Sequence, residues 1–244
     1  MRIVAFDTAS SATAVALCDP AAGLSLQARD DPAAGERPRH ASRLMPLVVE
    51  LLERAGGGWP SVERIGVGIG PGTFTGLRIG VATARGLGQA LGIPVIGVST
   101  LRSLALNAGG EDAGAVLAVL DARRGELFLA AWGLADGALG EPLLAPEAIA
   151  PDRASAVLAA LPRPLLAVGP GAVDFKAQLG RSGAVVPDEG SELHRITAVN
   201  HCRLASAAQP GAPAEITPQY LRLPDAEIAR RNDAEIARRN RPSQ

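Results

Sequence analysis

Residues 70–80 read Gly-Pro-Gly-Thr-Phe-Thr-Gly-Leu-Arg-Ile-Gly and leave the apolar run Ile65–Ile69. Gly70, Pro71 and Gly72 force a turn, and Thr73 or Thr75 can cap the helix that follows. A helix start of this kind presents unpaired N–H groups with partial positive charge, suited to a phosphate or another anion. Asp7, followed by Thr8, Ser10 and Ser11, and Asp121 in a later segment of similar outline add carboxylates and hydroxyls. Hydroxyls bind phosphate oxygens and a carboxylate orients hydrated magnesium, but phosphoryl transfer also needs dense positive charge at the phosphates. The turn after Asp7 holds no lysine or arginine; Arg123 and Arg124 stand beside Asp121, on a hairpin turn where arginines are ordinarily solvated. Asp7 has a plainer use as a turn-closing aspartate bonded to nearby backbone.

Metal chemistry finds little support. His40 is followed by Ala41, Ser42, Arg43 and Leu44, with no second ligand one turn on, and reads as a helix-start residue. His194 and His201 could share a helix face only if one helix spanned both, and Thr197 between them reads as a helix cap. Cys18 and Cys202 lack metal-ligand spacing and read as reduced, buried thiols. No metal site and no required cofactor are expected; a weak ATP or ADP site at Asp7, Thr8, Ser10, Gly70, Gly72, Thr73 and Asp121 stays open.

The helix after the glycine turn carries Gly76, Gly80, Ala84 and Gly88 four apart, a face of small residues over more than three turns. An interior glycine costs about 1 kcal/mol against alanine, so the face needs a close-packed partner. That partner is internal to the fold or on another chain; the spacing alone does not choose. Between His40 and Arg54 a second amphipathic helix is predicted, with Leu44, Leu47, Val48, Leu51 and Leu52 on one face and Met45 and Val49 carrying apolar surface toward another. The stripe is wider than one sheet face requires. The expectation is an intermolecular surface built from Leu44, Leu47, Val48, Leu51, Gly76, Gly80, Ala84 and Gly88, a seat for a pair of helices from another protomer.

These elements belong to a chain of 244 residues with net charge −1, long enough for two lobes and without the basic excess of a nucleic-acid binder. No apolar stretch approaches a membrane span, and Asp7 interrupts the first strand where a leader would be apolar, so a cytoplasmic protein is expected. A duplication runs through it. Ile3–Asp7 returns as Ala14–Leu17, and Ala115–Asp121 returns as Leu127–Trp132, each a predicted hairpin with an aspartate at its bend. Later in each unit an apolar strand meets Gly-Pro-Gly, at 70–72 and at 169–171. An α/β chain of two related halves follows: residues 1–100 as a first lobe completed by 197–222, with a helix over Thr197–Gln209, and 101–196 as a second lobe. Residues 225–240 repeat Asp-Ala-Glu-Ile-Ala-Arg-Arg-Asn in tandem, and 223–244 is expected to be a flexible tail.

The start Ile3-Val-Ala-Phe-Asp7-Thr-Ala-Ser10, the His40-Ala-Ser-Arg-Leu-Met-Pro46 segment, the 70–80 stretch, Gly97-Val-Ser-Thr-Leu101, Asp121-Ala-Arg123 with Glu126, and Pro218-Gln-Tyr-Leu-Arg222 together resemble the TsaB family, also called YeaZ, over residues 1–222. The resemblance implies a two-lobed actin and Hsp70 ATPase-type (ASKHA) fold with ribonuclease H-like lobes. Asp7 and Asp121 would then lie where nucleotide-binding relatives of that fold hold phosphate and magnesium. It further implies a scaffold for TsaD, a paralogous transferase that makes threonylcarbamoyladenosine beside the tRNA anticodon. A TsaE-like ATPase would be a third partner, a homodimer would form when the chain is alone, and tRNA would be met only through the complex. The family's acidic residue shortly after His40 is missing here. The alternative is an ATPase or small-molecule kinase of the same fold; a metallopeptidase ranks third, for want of paired histidines.

Overall fold

A computed structural model of the chain describes residues 1–33 and 35–222; the repeated tail lies outside the described residues. The first sheet grows from the expected hairpin. β1 (Ile3–Asp7) and β2 (Thr13–Asp19) pair antiparallel, with Ile3 opposite Cys18 and Asp7 opposite Ala14. β3 (Leu24–Asp30) extends this pair antiparallel, while β4 (Arg64–Gly70) and β5 (Val95–Ser99) add parallel strands beyond β1, giving the order β3-β2-β1-β4-β5. Every residue of β1 is buried, as a central strand covered on both faces must be.

α1 (His40–Ala55) and α2 (Phe74–Leu91) lie on one face, where Leu44, Leu47, Val48 and Leu51 of α1 meet Val4, Phe6, Val15 and Leu17. α2 ends at Gly92, which takes the left-handed conformation (φ 67°) that closes a helix cheaply only for glycine. α3 (Thr100–Ala105) then crosses to the second lobe, burying Leu101, Leu104 and Ala105 among Val116, Ala118 and Leu120.

The second sheet repeats the first. β6 (Ala115–Arg123), β7 (Glu126–Ala135) and β8 (Ala138–Ile149) form an antiparallel meander, and β9 (Leu165–Val168) and β10 (Ala184–Val185) join parallel to β6, in the order β10-β9-β6-β7-β8. α4 (Pro151–Leu158), α5 (Pro170–Asp174) and α6 (Lys176–Arg181) cover its outer face. Read outward from each lobe's first strand, the two orders are identical, the duplication of the two-lobed actin and Hsp70 ATPase-type fold. α7 (Ala198–Ala207) finally returns to the first lobe, placing Ala198, Cys202 and Ala205 against Ile3, Ala5 and Ala16. Arg64 Nη1 donates to the Ala205 and Ala208 carbonyls and so satisfies the end of α7.

The eight residues expected to seat foreign helices require a correction. Leu44, Leu47, Val48, Leu51, Gly76, Gly80, Ala84 and Gly88 are all buried by this chain's own atoms. A methyl group at Gly76 would overlap the Thr8 carbonyl, one at Gly80 would sit 2.5 Å from Thr8 Oγ1, and one at Gly88 would strike Val95. The small-residue face exists to let α2 close on β1 and on its own sheet.

Gly76→Ala is therefore expected to cost about 3 kcal/mol through overpacking against backbone. Gly86→Ala on the opposite face, with nothing within 4 Å of the added methyl, should gain about 0.5–1 kcal/mol. Urea unfolding of the two variants checks both signs.

Candidate functional site at the lobe junction

Asp7 ends β1 with its side chain pointing away from α2, over Gly68 of β4. A side chain at Gly68 would overlap the Asp7 carboxylate, so the bare backbone there is what admits it. Asp7 Oδ1 accepts the Ala9 N–H at 2.8 Å, the turn-closing bond expected of it. Asp7 Oδ2 accepts the Thr100 hydroxyl at 2.8 Å and faces His201 Nε2 at 2.9 Å. The aspartate is 1% exposed, and Thr100, Ser103 and His201 are 0% exposed.

Two helix starts aim these partners. Ser99 caps α3 by accepting the Arg102 N–H, and Thr197 caps α7 by accepting the Val199 N–H, which separates His194 from His201 as the sequence anticipates. On the far side of the ring, His201 Nδ1 faces Ser103 Oγ at 2.8 Å and the Thr197 carbonyl at 3.2 Å. His201 Nε2–H donates to the Asp7 carboxylate, and Nδ1 meets the Ser103 hydroxyl and the Thr197 carbonyl, so both ring nitrogens have partners. Burial by itself raises the Asp7 carboxyl; the hydrogen bond and charge of His201, with the Ala9 N–H and the Thr100 hydroxyl, outweigh it and hold the group below the ordinary carboxylate value. Serine, histidine and aspartate stand in the sequence of contacts that activates a nucleophile, yet this serine reaches no solvent and can meet no substrate. The arrangement is a buried, hydrogen-bonded aspartate–histidine pair whose polar atoms all have partners.

The remaining predicted residues fall elsewhere. Thr8 Oγ1 donates to the Gly76 carbonyl at 2.8 Å, and Ser10 Oγ accepts the Ala12 N–H at 3.2 Å. Thr73 takes the first capping position of α2 with no side-chain bond, a correction to its expected capping role; its N–H donates instead to the Ala9 carbonyl at 2.7 Å. A methyl at Gly72 would overlap that same carbonyl, so the turn grips the β1–β2 loop directly. Gly70 adopts φ 113°, open only to glycine, while the Ile69 carbonyl accepts the Gln219 N–H at 2.7 Å. Asp121 accepts the Arg123 N–H at 2.7 Å and pairs with its guanidinium at 3.3 Å. It contributes no bond to the Asp7 group; burial raises the nearby Asp174 carboxyl, with the charge of Asp121 adding to the effect.

His40 opens α1, as expected, with Nδ1 2.9 Å from Thr13 Oγ1, and burial lowers its pKa below the ordinary histidine value. His194 Nδ1 accepts the Gly169 N–H at 3.1 Å, and its other nitrogen faces the Pro187 carbonyl at 3.3 Å, so it fastens the second glycine turn. Cys18 and Cys202 are buried free thiols. Tyr220 meets Phe74 and the Arg78 guanidinium, and Arg222 pairs with Glu126 at 3.2 Å, both anchoring the closing segment. Among the described residues, no three of His, Cys, Asp and Glu come together to hold a metal ion. No helix among them is long and apolar enough to cross a membrane.

Sequence reasoning missed Thr100, Ser103 and His201. They stand 93 to 194 residues from Asp7, and only a polar residue on the inward side of a short helix hints at such a role.

Two pH effects follow, of different origin. The Asp7 carboxyl is lowered from 3.8, so its contribution is complete above about pH 4 and is lost as pH falls below that. Asp7→Asn should remove this acid-limb dependence and cost about 2 kcal/mol at neutral pH, because an amide has one acceptor oxygen where the carboxylate serves the Ala9 N–H, the Thr100 hydroxyl and His201. His40 is lowered from 6.5, so between pH 6.5 and the folded value the unfolded chain binds the extra proton and stability falls on acidification. His40→Gln should flatten that slope. Denaturant midpoints measured from pH 3 to pH 8 separate the two.

The family model described as "TsaD: tRNA N6-adenosine threonylcarbamoyltransferase" matches residues 35–160. A protein of Escherichia coli K12 named tRNA threonylcarbamoyladenosine biosynthesis protein TsaB is 37% identical over 158 residues, 61% of this chain and 64% of that protein. An uncharacterized protein of Mycobacterium tuberculosis H37Rv is 35% identical over 188 residues, 77% of each chain. The structure of YeaZ from Pseudomonas aeruginosa superposes with a TM-score of 0.72 at 28% identity, covering 90% of this chain and 99% of that one. The alignment with the E. coli relative thus spans a little under two thirds of its length, while the structural match spans nearly all of both chains. With the duplicated sheets and the glycine turn gripping the first hairpin, these matches establish that the chain belongs to the TsaB (YeaZ) family.

Proposed function

We propose that this chain is a non-catalytic partner of a TsaD-like transferase in forming threonylcarbamoyladenosine next to the anticodon of tRNA, acting through helix–helix pairing. A TsaE-like ATPase is the third member of the assembly, the chain pairs with itself when alone, and tRNA is met only through the complex. The names carried by the relatives support the pathway. One observation carries the non-catalytic part: the carboxylate that a nucleotide-dependent member would turn toward magnesium is spent on His201 and Thr100. That commitment also counts against the ATPase or kinase reading.

The pairing surface moves to the other side of the same two helices. With Leu44, Leu47, Val48 and Leu51 turned inward, α1 offers Met45 and Val49 outward, and Val49 is 37% exposed. α2 offers Ala82, Gly86 and Ala90, exposed and four apart, with Gly86 facing open space. An apolar strip beside a small-residue strip lets a second pair of helices approach closely.

The test mixes the chain with a TsaD-like paralog and follows complex mass and tRNA modification together. Modification should require this chain, and the chain alone should modify nothing. Val49→Glu combined with Gly86→Arg should weaken the complex at least tenfold and leave the thermal midpoint of the monomer within a few degrees. Unchanged affinity sinks the surface, and ATP turnover by the pure chain, lost in Asp7→Ala, sinks the non-catalytic role.

A further inference from the structure

The fold family implies a magnesium nucleotide between the lobes, and the residues at Asp7 do not fit one. Both carboxylate oxygens are taken, Oδ1 by the Ala9 N–H and Oδ2 by the Thr100 hydroxyl and His201. The group is 1% exposed, and the Gly68 backbone lies against it from below. A hydrated cation needs an open carboxylate face and several waters of its own, and the His201 ring edge, 2.9 Å from Oδ2, already occupies the face such a cation would use. The three side chains come from elements that divide between the lobes. Asp7 ends β1 and His201 rides on α7, both packed in the first lobe, whereas Thr100 and Ser103 belong to α3, whose leucines are buried in the second.

We infer that Asp7, His201, Thr100 and Ser103 form a built-in latch between the lobes: His201 takes the place of the divalent cation, and the lobe angle is held without nucleotide. Neighbouring bonds run in the same direction. Asn200, beside His201 on α7, donates to the Ser103 carbonyl at 3.0 Å and to Asn107 Oδ1 at 2.8 Å, and Asn107 donates to the Arg195 carbonyl at 2.7 Å. Arg29 on β3 donates to the Ile196 carbonyl at 2.6 Å. The junction is thus zipped by α7 and α3 along its length, with the Asp7–His201 pair at its centre. His201 acts here as a positioning residue; it meets no substrate. This inference does not depend on any TsaD-like partner and concerns the isolated chain.

The test uses the full-length chain in two measurements. In the first, ADP and ATP are titrated calorimetrically with and without Mg²⁺; any heat of binding should be indifferent to the metal. A gain of tenfold or more in affinity with Mg²⁺ that Asp7→Asn abolishes would overturn the inference. In the second, spin labels at Glu53→Cys and Arg181→Cys, exposed positions on α1 and α6, report the distance between lobes. One narrow distribution is expected for the otherwise unaltered chain, unmoved by Mg²⁺ with ADP. His201→Ala should broaden it, and His201→Gln, whose amide can still donate to Asp7, should narrow it again. An unchanged distribution in His201→Ala, or a shift on adding Mg²⁺ with ADP, refutes the latch. If His201→Ala does not fold, Thr100→Val, which removes one donor and keeps the Asp7–His201 contact, is read the same way.

Discussion

The molecule depends on one close approach. Asp7, Thr8 and Ala9, the end of the first strand and the start of its turn, lie where β4 and α2 can reach them only because Gly68, Gly72, Gly76 and Gly80 carry no side chain. Each contact serves a different group: Gly68 admits the carboxylate, Gly72 the Ala9 carbonyl, and Gly76 and Gly80 the carbonyl and hydroxyl of Thr8. With Gly70, five of the thirteen residues 68–80 are glycine, which is costly in backbone entropy. What they make possible is a strand end driven into the centre of the protein, with its aspartate delivered to the lobe junction. A turn that reads as a cradle for an outside anion is, in the folded chain, a grip on the chain's own hairpin.

Much of this architecture was legible. Strict patterning placed both hairpins, and the repeated Gly-Pro-Gly after an apolar strand exposed the duplication because the same local need, a strand turning sharply under a hairpin, recurs in each lobe. Thr197 announced a cap and so split the two histidines. What failed was orientation. Periodicity says that Gly76, Gly80, Ala84 and Gly88 share a face, but whether that face meets the chain itself or a stranger is a tertiary fact. The wide stripe of α1 misled for the same reason: α1 packs on β2 and β3 and against α2, so its broad apolar face has a broad internal surface to cover. The junction itself was invisible, since nothing near Asp7 in the sequence names a partner almost two hundred residues away.

The two lobes have spent a common plan differently. In the first, the strand, glycine turn and helix are drawn together so tightly that the turn's hydrogen bonds stay within the backbone, and α2 runs eighteen residues. In the second, the equivalent turn opens a five-residue helix, and a histidine side chain reaches in to hold Gly169. Duplication therefore preserved sheet order more faithfully than helix length or the chemistry of the turns. Helices on the outside can vary in this way while the sheets keep the hairpin and its aspartate in place.

α7 also governs the order in which the chain can become whole. One face of the first sheet, with Ile3, Ala5, Ala16 and Cys18, is roofed by residues 198–205, whereas the second sheet is assembled entirely from residues 115–185. A ribosome delivering this chain releases the earliest strands first and their cover last, so the lobe begun first is completed second. Until then its bare apolar face must wait in water, which makes the nascent N-terminal half the part of the molecule most in need of a chaperone.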